Sequence, residues 1–140
     1  MITNKQAYFN YFIEEDFEAG IALVGDEVKA VRANRVNLKG SYAKIFFNSK
    51  NSPEVFLVGS HFNTKTVDSY RTRKLLLKKV EINRLVGKIN EKGLTLMPLK
   101  MYFKKGLVKV LLGLGRGKKR FDKREILRKR DALMRMRRQG

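Results

Sequence analysis

Leu94-Thr95-Leu96-Met97-Pro98-Leu99-Lys100-Met101-Tyr102-Phe103, then Lys104-Lys105-Gly106, then Leu107-Val108-Lys109-Val110-Leu111-Leu112-Gly113-Leu114-Gly115, is the stretch on which the fold turns. Two runs of strand-favouring residues flank a short polar segment with a glycine, which predicts an antiparallel hairpin. Pro98 brings no N–H to a ladder, so it belongs at an edge or a bulge. A second hairpin is predicted upstream: a strand over residues 41–47, a turn over 48–53 and a returning strand over 55–58. Nearer the N-terminus, Tyr8-Phe9-Asn10-Tyr11-Phe12-Ile13 reads as strand. It continues past the acidic patch Glu14-Glu15-Asp16 into Phe17-Glu18-Ala19-Gly20-Ile21, either as two segments with a kink or bulge around the acidic patch or as one long bent strand. Gly20 suits a bulge or a close backbone approach.

Two helices interrupt the strands. Asp26 and Glu27 suit a helix N-terminus, and Val28, Val31 and Arg32 share a face, so a short helix is expected from Gly25 to about Asn34. Residues 59–70 read as a polar loop. A second helical region is expected to open at Arg71 and to carry Val80, Ile82, Leu85, Val86 and Ile89 to a stop at Gly93. Gly113, Gly115 and Gly117 are expected to loosen the chain and end the domain. The reading is a mainly β fold: a small antiparallel OB-like barrel with short inserted helices over residues 1–115, followed by a basic C-terminal tail over 116–140.

The chain has 140 residues and a formal charge of +19, with 43% hydrophobic residues, enough for a core at this length. It has no cysteine, which excludes disulfides, thiolate metal sites and cysteine nucleophiles. His61 is the single histidine, so a multi-histidine metal site cannot be built. No apolar run approaches the roughly 20 residues that span a bilayer, and the first ten residues lack the apolar core of a secretory signal. A cytoplasmic, monomeric protein without cofactor or metal is expected. The charge is uneven: residues 116–140 hold twelve basic and three acidic residues, net +9. Self-repulsion on that scale calls for a polyanion, and nucleic acid is the commonest one. A solvated basic surface and an anionic membrane are the alternatives.

Local motifs point away from catalysis. Gly113-x-Gly115-x-Gly117-Lys118 has the wrong spacing for a phosphate loop, and no Ser or Thr follows the lysine to hold Mg²⁺. Glu14, Glu15, Asp16 and Glu18 lack the contrasting environments that separate a general acid from a general base. Glu18 stands out, lying in an otherwise apolar stretch where a carboxylate can accept hydrogen bonds from base amines. His61 has no visible partner constellation. Arg71, Arg73, Lys74, Lys78 and Lys79 cluster around Leu75-Leu76-Leu77. An exposed leucine there can pack on an unpaired base while the charges hold phosphates. In the tail, Ile126 and Leu127 recur seven residues later as Leu133 and Met134, a thin apolar stripe on an otherwise basic segment. Such a segment is expected to be disordered alone and helical on a polyanion.

With these residues in view, the sequence resembles the small protein B family, the SsrA-binding proteins of bacterial trans-translation. The resemblance rests on Asn4-Lys5, Tyr11-Phe12-Ile13, Glu18-Ala19-Gly20-Ile21, Glu27-Val28-Lys29 and Arg73-Lys74-Leu75-Leu76-Leu77. It continues through Glu81-Ile82, Leu99 with Tyr102, Val108-Lys109-Val110, Gly117-Lys118-Lys119 and Asp122-Lys123-Arg124. It implies a non-catalytic RNA-binding adaptor. The barrel would bind the tRNA-like domain of transfer-messenger RNA and deliver it to stalled ribosomes. The tail would enter the small-subunit decoding region and mRNA channel. The family's RNA-contact positions fall on Asn4, Glu18, Leu76 and Lys109, with Lys5, Lys29, Arg73 and Lys74 as further barrel candidates. In the tail they fall on Gly117, Lys118, Lys119, Asp122, Lys123 and Arg124, with Arg128 and Lys129 beyond. Ala30 stands where the family usually has Ser, and Phe121 where His or Tyr is common. A ribosomal structural protein bound to rRNA is the competing reading.

Overall fold

The computed structural model describes residues 1–119 and, beyond them, Arg124, Leu127, Arg128 and Arg130. In chain order the elements are β1 (Ile2–Thr3), α1 (Lys5–Asn10), β2 (Tyr11–Ile21), α2 (Gly25–Arg32), β3 (Val36–Asn37) and β4 (Tyr42–Phe47). They continue with β5 (Pro53–Val58), β6 (His61–Phe62), β7 (Arg73–Leu76), α3 (Lys79–Lys92), β8 (Thr95–Lys104) and β9 (Leu107–Gly117). One seven-stranded sheet runs β1-β8-β9-β2-β7-β5-β4, every pairing antiparallel, and β3 pairs with β6 apart from it. The architecture is the OB-like β fold expected from the two hairpins. The C-terminal hairpin is in place: β8 and β9 pair from Thr95 opposite Gly115 to Lys104 opposite Leu107, with a register shift between Pro98 and Lys100. The missing N–H of Pro98 is thus accommodated by a bulge.

Strict alternation builds the core. Phe17, Ala19 and Ile21 of β2, Val108, Val110, Leu112 and Leu114 of β9, and Val55 and Leu57 of β5 point inward. Leu85 of α3 joins them, fully buried. Removing such a side chain costs about 2–5 kcal/mol, because the cavity left behind collapses only in part. Of the residues between them, Leu111 and Gly113 meet the second cluster around Leu99, while Glu18, Gly20, Phe56 and Lys109 belong to the surface considered below.

Several expectations need correcting. Tyr8–Ile13 is not one strand, because residues 5–10 form α1. Asn4 caps that helix: its Oδ1 accepts from the Ala7 N–H at 3.3 Å, and its Nδ2 donates to the carbonyls of Leu38 and Pro98. Ala7 then packs on Met97 and Leu99, so tertiary contact overrides the strand preference of Tyr8 and Phe9. Residues 71–78 do not open the second helix. Residues 73–76 are strand, with Arg73 and Leu75 buried and Lys74 and Leu76 exposed, and α3 starts only at Lys79. Other readings hold: residues 11–21 form a single long strand whose irregularity falls between Ile13 and Glu15, at the acidic patch as expected. Gly20 is a close approach, where a Cβ would lie 3.3 Å from the Leu76 Cβ. Gly113 and Gly115 do not loosen the chain. Both are buried within β9, and a Cβ on Gly115 would lie 2.2 Å from the Phe12 carbonyl oxygen. The loop reading of residues 59–70 is interrupted by the two residues of β6.

Candidate nucleic-acid interface

The outward positions of neighbouring strands collect four of the eight predicted barrel residues, Glu18, Lys74, Leu76 and Lys109. Register sets Glu18 opposite Leu111, Gly20 opposite both Lys109 and Leu76, and Lys109 opposite Tyr102. Gly20 carries no side chain, so Leu76 packs over it, and Leu76 remains 51% exposed. The result is an apolar side chain in reach of solvent beside a carboxylate and an ammonium.

Glu18 is held by two partners. The Tyr102 hydroxyl donates to its Oε2 at 2.6 Å, and the Lys104 Nζ donates to Oε1 at 3.1 Å and to Oε2 at 3.3 Å. The Tyr102 hydrogen bond, then Lys104, keep the Glu18 carboxyl below its ordinary range, and the Lys109 charge adds to this. Burial first, then the bond to the Glu18 carboxylate, push the Tyr102 phenol up to about 12. Glu18 is therefore an anion at neutral pH, fixed in orientation and able to accept from base amines or ribose hydroxyls. Lys104 and Lys109 place two ammonium groups around it, a chemistry suited to phosphate. Tyr102 and Lys104 were not singled out from sequence as site residues. The period-two spacing of Lys100, Tyr102 and Lys104 on β8 is the pattern that places them on this face.

Two predicted contacts lie elsewhere than expected. Arg73 is fully buried and not available to phosphate. Its Nε donates to Glu27 Oε2 at 2.5 Å, its other nitrogens donate to the carbonyls of Ser60 and Ser69, and its guanidinium stacks 3.9 Å from the Phe62 ring centroid. Glu27, also fully buried, accepts in addition from Arg71 and from the Val24 N–H at the start of α2. Burial raises the Glu27 carboxyl, but the Arg71, Val24 and Arg73 bonds outweigh it and leave it lowered. Asn4 is likewise buried, spent on capping α1. Both side chains are engaged within the fold.

Lys5, Lys29 and Lys74 are exposed as expected. Lys29 stands with Arg35 and Lys65 around a cleft on α2 of about 400 Å³. There Asp26 Oδ2 accepts from the backbones of Lys65 and Thr66 and from the Thr66 hydroxyl, fixing the following loop. These bonds, the Thr66 N–H foremost, keep the Asp26 carboxyl low. Lys74 pairs with Glu54 at 2.9 Å.

A second basic group marks the exit of the tail. Phe12 lies between the Arg116 guanidinium, 4.7 Å from its centroid, and the Lys118 ammonium, 5.0 Å away. Lys118 also donates from its backbone to Asn10 and from its side chain to the Tyr8 carbonyl. Gly117 ends β9, and Lys119 is exposed. Arg124, Leu127, Arg128 and Arg130 have helical backbone and are exposed, with Arg130 5.9 Å from the Phe9 ring centroid. Asp122, Lys123 and Lys129, and Ile126, Leu133 and Met134 of the apolar stripe, lie outside the described residues.

The family model described as SmpB protein matches residues 1–140. The chain belongs to the SmpB family. It is 53% identical to the SsrA-binding protein of Bacillus subtilis over 92% of this chain and 83% of that one. To the SsrA-binding protein of Caldicellulosiruptor saccharolyticus it is 52% identical, over 96% and 86%. A solved structure described as "tmRNA-SmpB: a journey to the center of the bacterial ribosome" contains a chain of the same shape. Its TM-score is 0.69 at 45% identity, covering 91% of this chain and 94% of that one. Among the described residues no group of three or more His, Cys, Asp or Glu is placed to hold a metal ion, and no helix is long and apolar enough to cross a membrane.

Proposed function

We propose that this SmpB-family chain is an RNA-binding adaptor. It binds transfer-messenger RNA and delivers it to stalled ribosomes for trans-translation. The observation that carries the reading is the 45% identity, across 91% of the chain, to a protein solved with tmRNA in the setting of the ribosome. The outer face of the barrel is the surface proposed for the tRNA-like domain. Lys104 and Lys109 neutralise phosphates, the oriented Glu18 carboxylate accepts from bases or sugars, and Leu76 packs on an unstacked base. Glu18 also repels phosphates that approach in the wrong register, which turns general attraction into a defined docking position.

The basic tail, expected over 116–140, begins after Gly117, where β9 ends, and is proposed to leave the barrel beside Phe12 and to contact the small-subunit decoding region and the mRNA channel. No bond is made or broken by this chain in the proposed role, and it acts in the cytoplasm as a monomer. The SsrA-binding relatives favour an adaptor over a structural protein bound permanently to rRNA.

The test compares Lys109→Ala and Glu18→Ala for binding to the isolated tRNA-like domain across a salt series. Lys109→Ala weakens binding and flattens log K against log salt by roughly 0.7–0.9, the share of a single neutralised phosphate. Glu18→Ala weakens binding without flattening the slope, because a carboxylate meets hydrogen-bond donors and not phosphates. An identical salt response from the two variants removes Glu18 from base or sugar recognition. Retention of the chain on salt-washed ribosomal subunits, with no tmRNA copurifying, establishes the structural-protein reading instead.

A further inference from the structure

The β4–β5 hairpin carries an aromatic group outside the face assigned above. Phe46 is 44% exposed and Phe47 56% exposed, and the Phe46 and Phe56 rings meet edge to face with centroids 5.5 Å apart. A cleft of about 310 Å³ opens between them, lined by Phe46, Phe47, Asn48, Glu54, Phe56 and Thr72. The Lys44 ammonium stands 5.0 Å from the Phe46 centroid, and Lys74 flanks Phe56 across the β5–β7 register. Leaving two aromatic rings exposed and Phe56 half-exposed loses burial energy that an inward position would recover, so the patch calls for a partner.

Register makes this group continuous with the first. Phe46, Lys44, Glu54, Phe56, Lys74 and Leu76 all occupy outward positions of β4, β5 and β7, and Leu76 lies against Gly20. From β9 to β4 is four strand spacings, roughly 19 Å. One surface thus runs from the ammonium and carboxylate at Lys109 and Glu18, over Leu76, to open rings bordered by lysines.

We propose that Phe46 and Phe56 form a stacking platform for an unpaired RNA base, with Lys44 and Lys74 holding the adjoining phosphates. Aromatic rings beside lysines match single-stranded RNA chemically: every base offers a π-face, and every linkage brings an anion. A dry protein partner would have to desolvate Lys44 and the Lys74–Glu54 pair, which disfavours it. The proposal rests on the RNA-binding reading above and extends it to a second region, selective for single strands.

The probe is a fluorescently labelled single-stranded oligouridylate, titrated with the full chain and with Phe46→Ala, Phe46→Trp, Lys44→Ala and Lys109→Ala. Phe46→Ala is expected to weaken binding roughly 5- to 150-fold, the worth of one base–aromatic stack. The salt slope should stay unchanged, and so should the thermal transition, since the ring is exposed. Phe46→Trp should restore binding, and Lys44→Ala should flatten the salt slope by about 0.7. Oligouridylate affinity within twofold of the parent for Phe46→Ala overturns the platform. So does a concentration-dependent dimer that Phe46→Ala dissolves, because the rings then serve a second copy of the chain. The same variants on the isolated tRNA-like domain separate the two claims. Weakening by Lys109→Ala there, with Phe46→Ala silent on both probes, refutes the platform and leaves the adaptor reading standing. Failure to bind tmRNA at all, with a ring-dependent grip on oligouridylate, does the reverse.

Discussion

Glu27→Ala is the substitution that most directly separates shaping the RNA face from touching RNA. It strips the buried Arg73 guanidinium of its carboxylate at 2.5 Å, frees Arg71 and leaves the Val24 N–H without its acceptor. Removing one partner of a buried ion pair typically costs about 3–5 kcal/mol. Arg73 keeps the carbonyls of Ser60 and Ser69 and the Phe62 ring, so the lower part of that range applies, about 3 kcal/mol. Near 140 residues each kcal/mol moves the melting temperature by about 3 °C, so a drop of about 10 °C is expected in calorimetry. The double variant Glu27→Gln with Arg73→Met should recover most of this. Gln still accepts from Val24, and Met fills the arginine slot without a charge to solvate. Well below the melting point, both variants should bind tmRNA within about twofold of the parent, far less than one stacked base is worth. The double variant melting as low as the single one would refute the uncompensated-charge argument. Arg73→Met weakening tmRNA affinity at an unchanged melting temperature would refute the burial itself.

The same carboxylate sets an acid limit. Glu27 has a lowered pKa in the fold, so its stabilisation is full above the unfolded value of about 4.3 and is lost as pH falls through the lower folded value; the Glu27→Gln variant should show a shallower fall in melting temperature over that range. Tyr102 should titrate near 12 by tyrosinate absorbance, and Glu18→Ala should move it only part of the way back towards 10, because burial, the larger cause, remains. Gly115→Ala should destabilise by about 1–3 kcal/mol, read by denaturant melting, since its Cβ would lie 2.2 Å from the Phe12 carbonyl oxygen, where backbone must move. Truncation after Lys119 should preserve the thermal transition and binding to the tRNA-like domain while abolishing peptide tagging; an earlier cut at Gly115 should destabilise the barrel, because Arg116 and Gly117 still pair with Phe12 and Tyr11.

The two hairpins were legible because runs of strand-favouring residues flank short polar turns, a signal contained in the local sequence. The errors fell where a local pattern was outvoted at long range. Tyr8 and Phe9 favour strand, but Asn4 is tied to Leu38 and Pro98, far away in sequence, and the chain turns into α1 before β2 begins. Arg73-Lys74-Leu75-Leu76 has too few residues to distinguish a period of two from a helical turn. An inward arginine makes the alternation harder still to see, because burial of Arg73 depends on Glu27, forty-six positions earlier. Glycines in series read as flexible when nothing shows what lies against them. In β9 they are small because the Phe12 carbonyl and Leu99 occupy the space.

The site divides along the same line. Glu18 stood out by its residue type, while Leu76 and Lys109 were named through the family resemblance; their meeting depends on strand order β8-β9-β2-β7, which no local pattern contains. Arg73 looked like a phosphate ligand because it belongs to a run of cations, Arg71, Arg73, Lys74, Lys78 and Lys79, set around Leu75-Leu76-Leu77. Only the pleat decides between the two cations: one residue of register puts Arg73 inside on Glu27 and Lys74 outside. The same alternation of backbone that buries Arg73 lifts Leu76 over Gly20. The buried ion pair and the exposed apolar side chain are therefore two sides of one strand. A change that slipped the register of β7 would lose the fold and the proposed RNA face together.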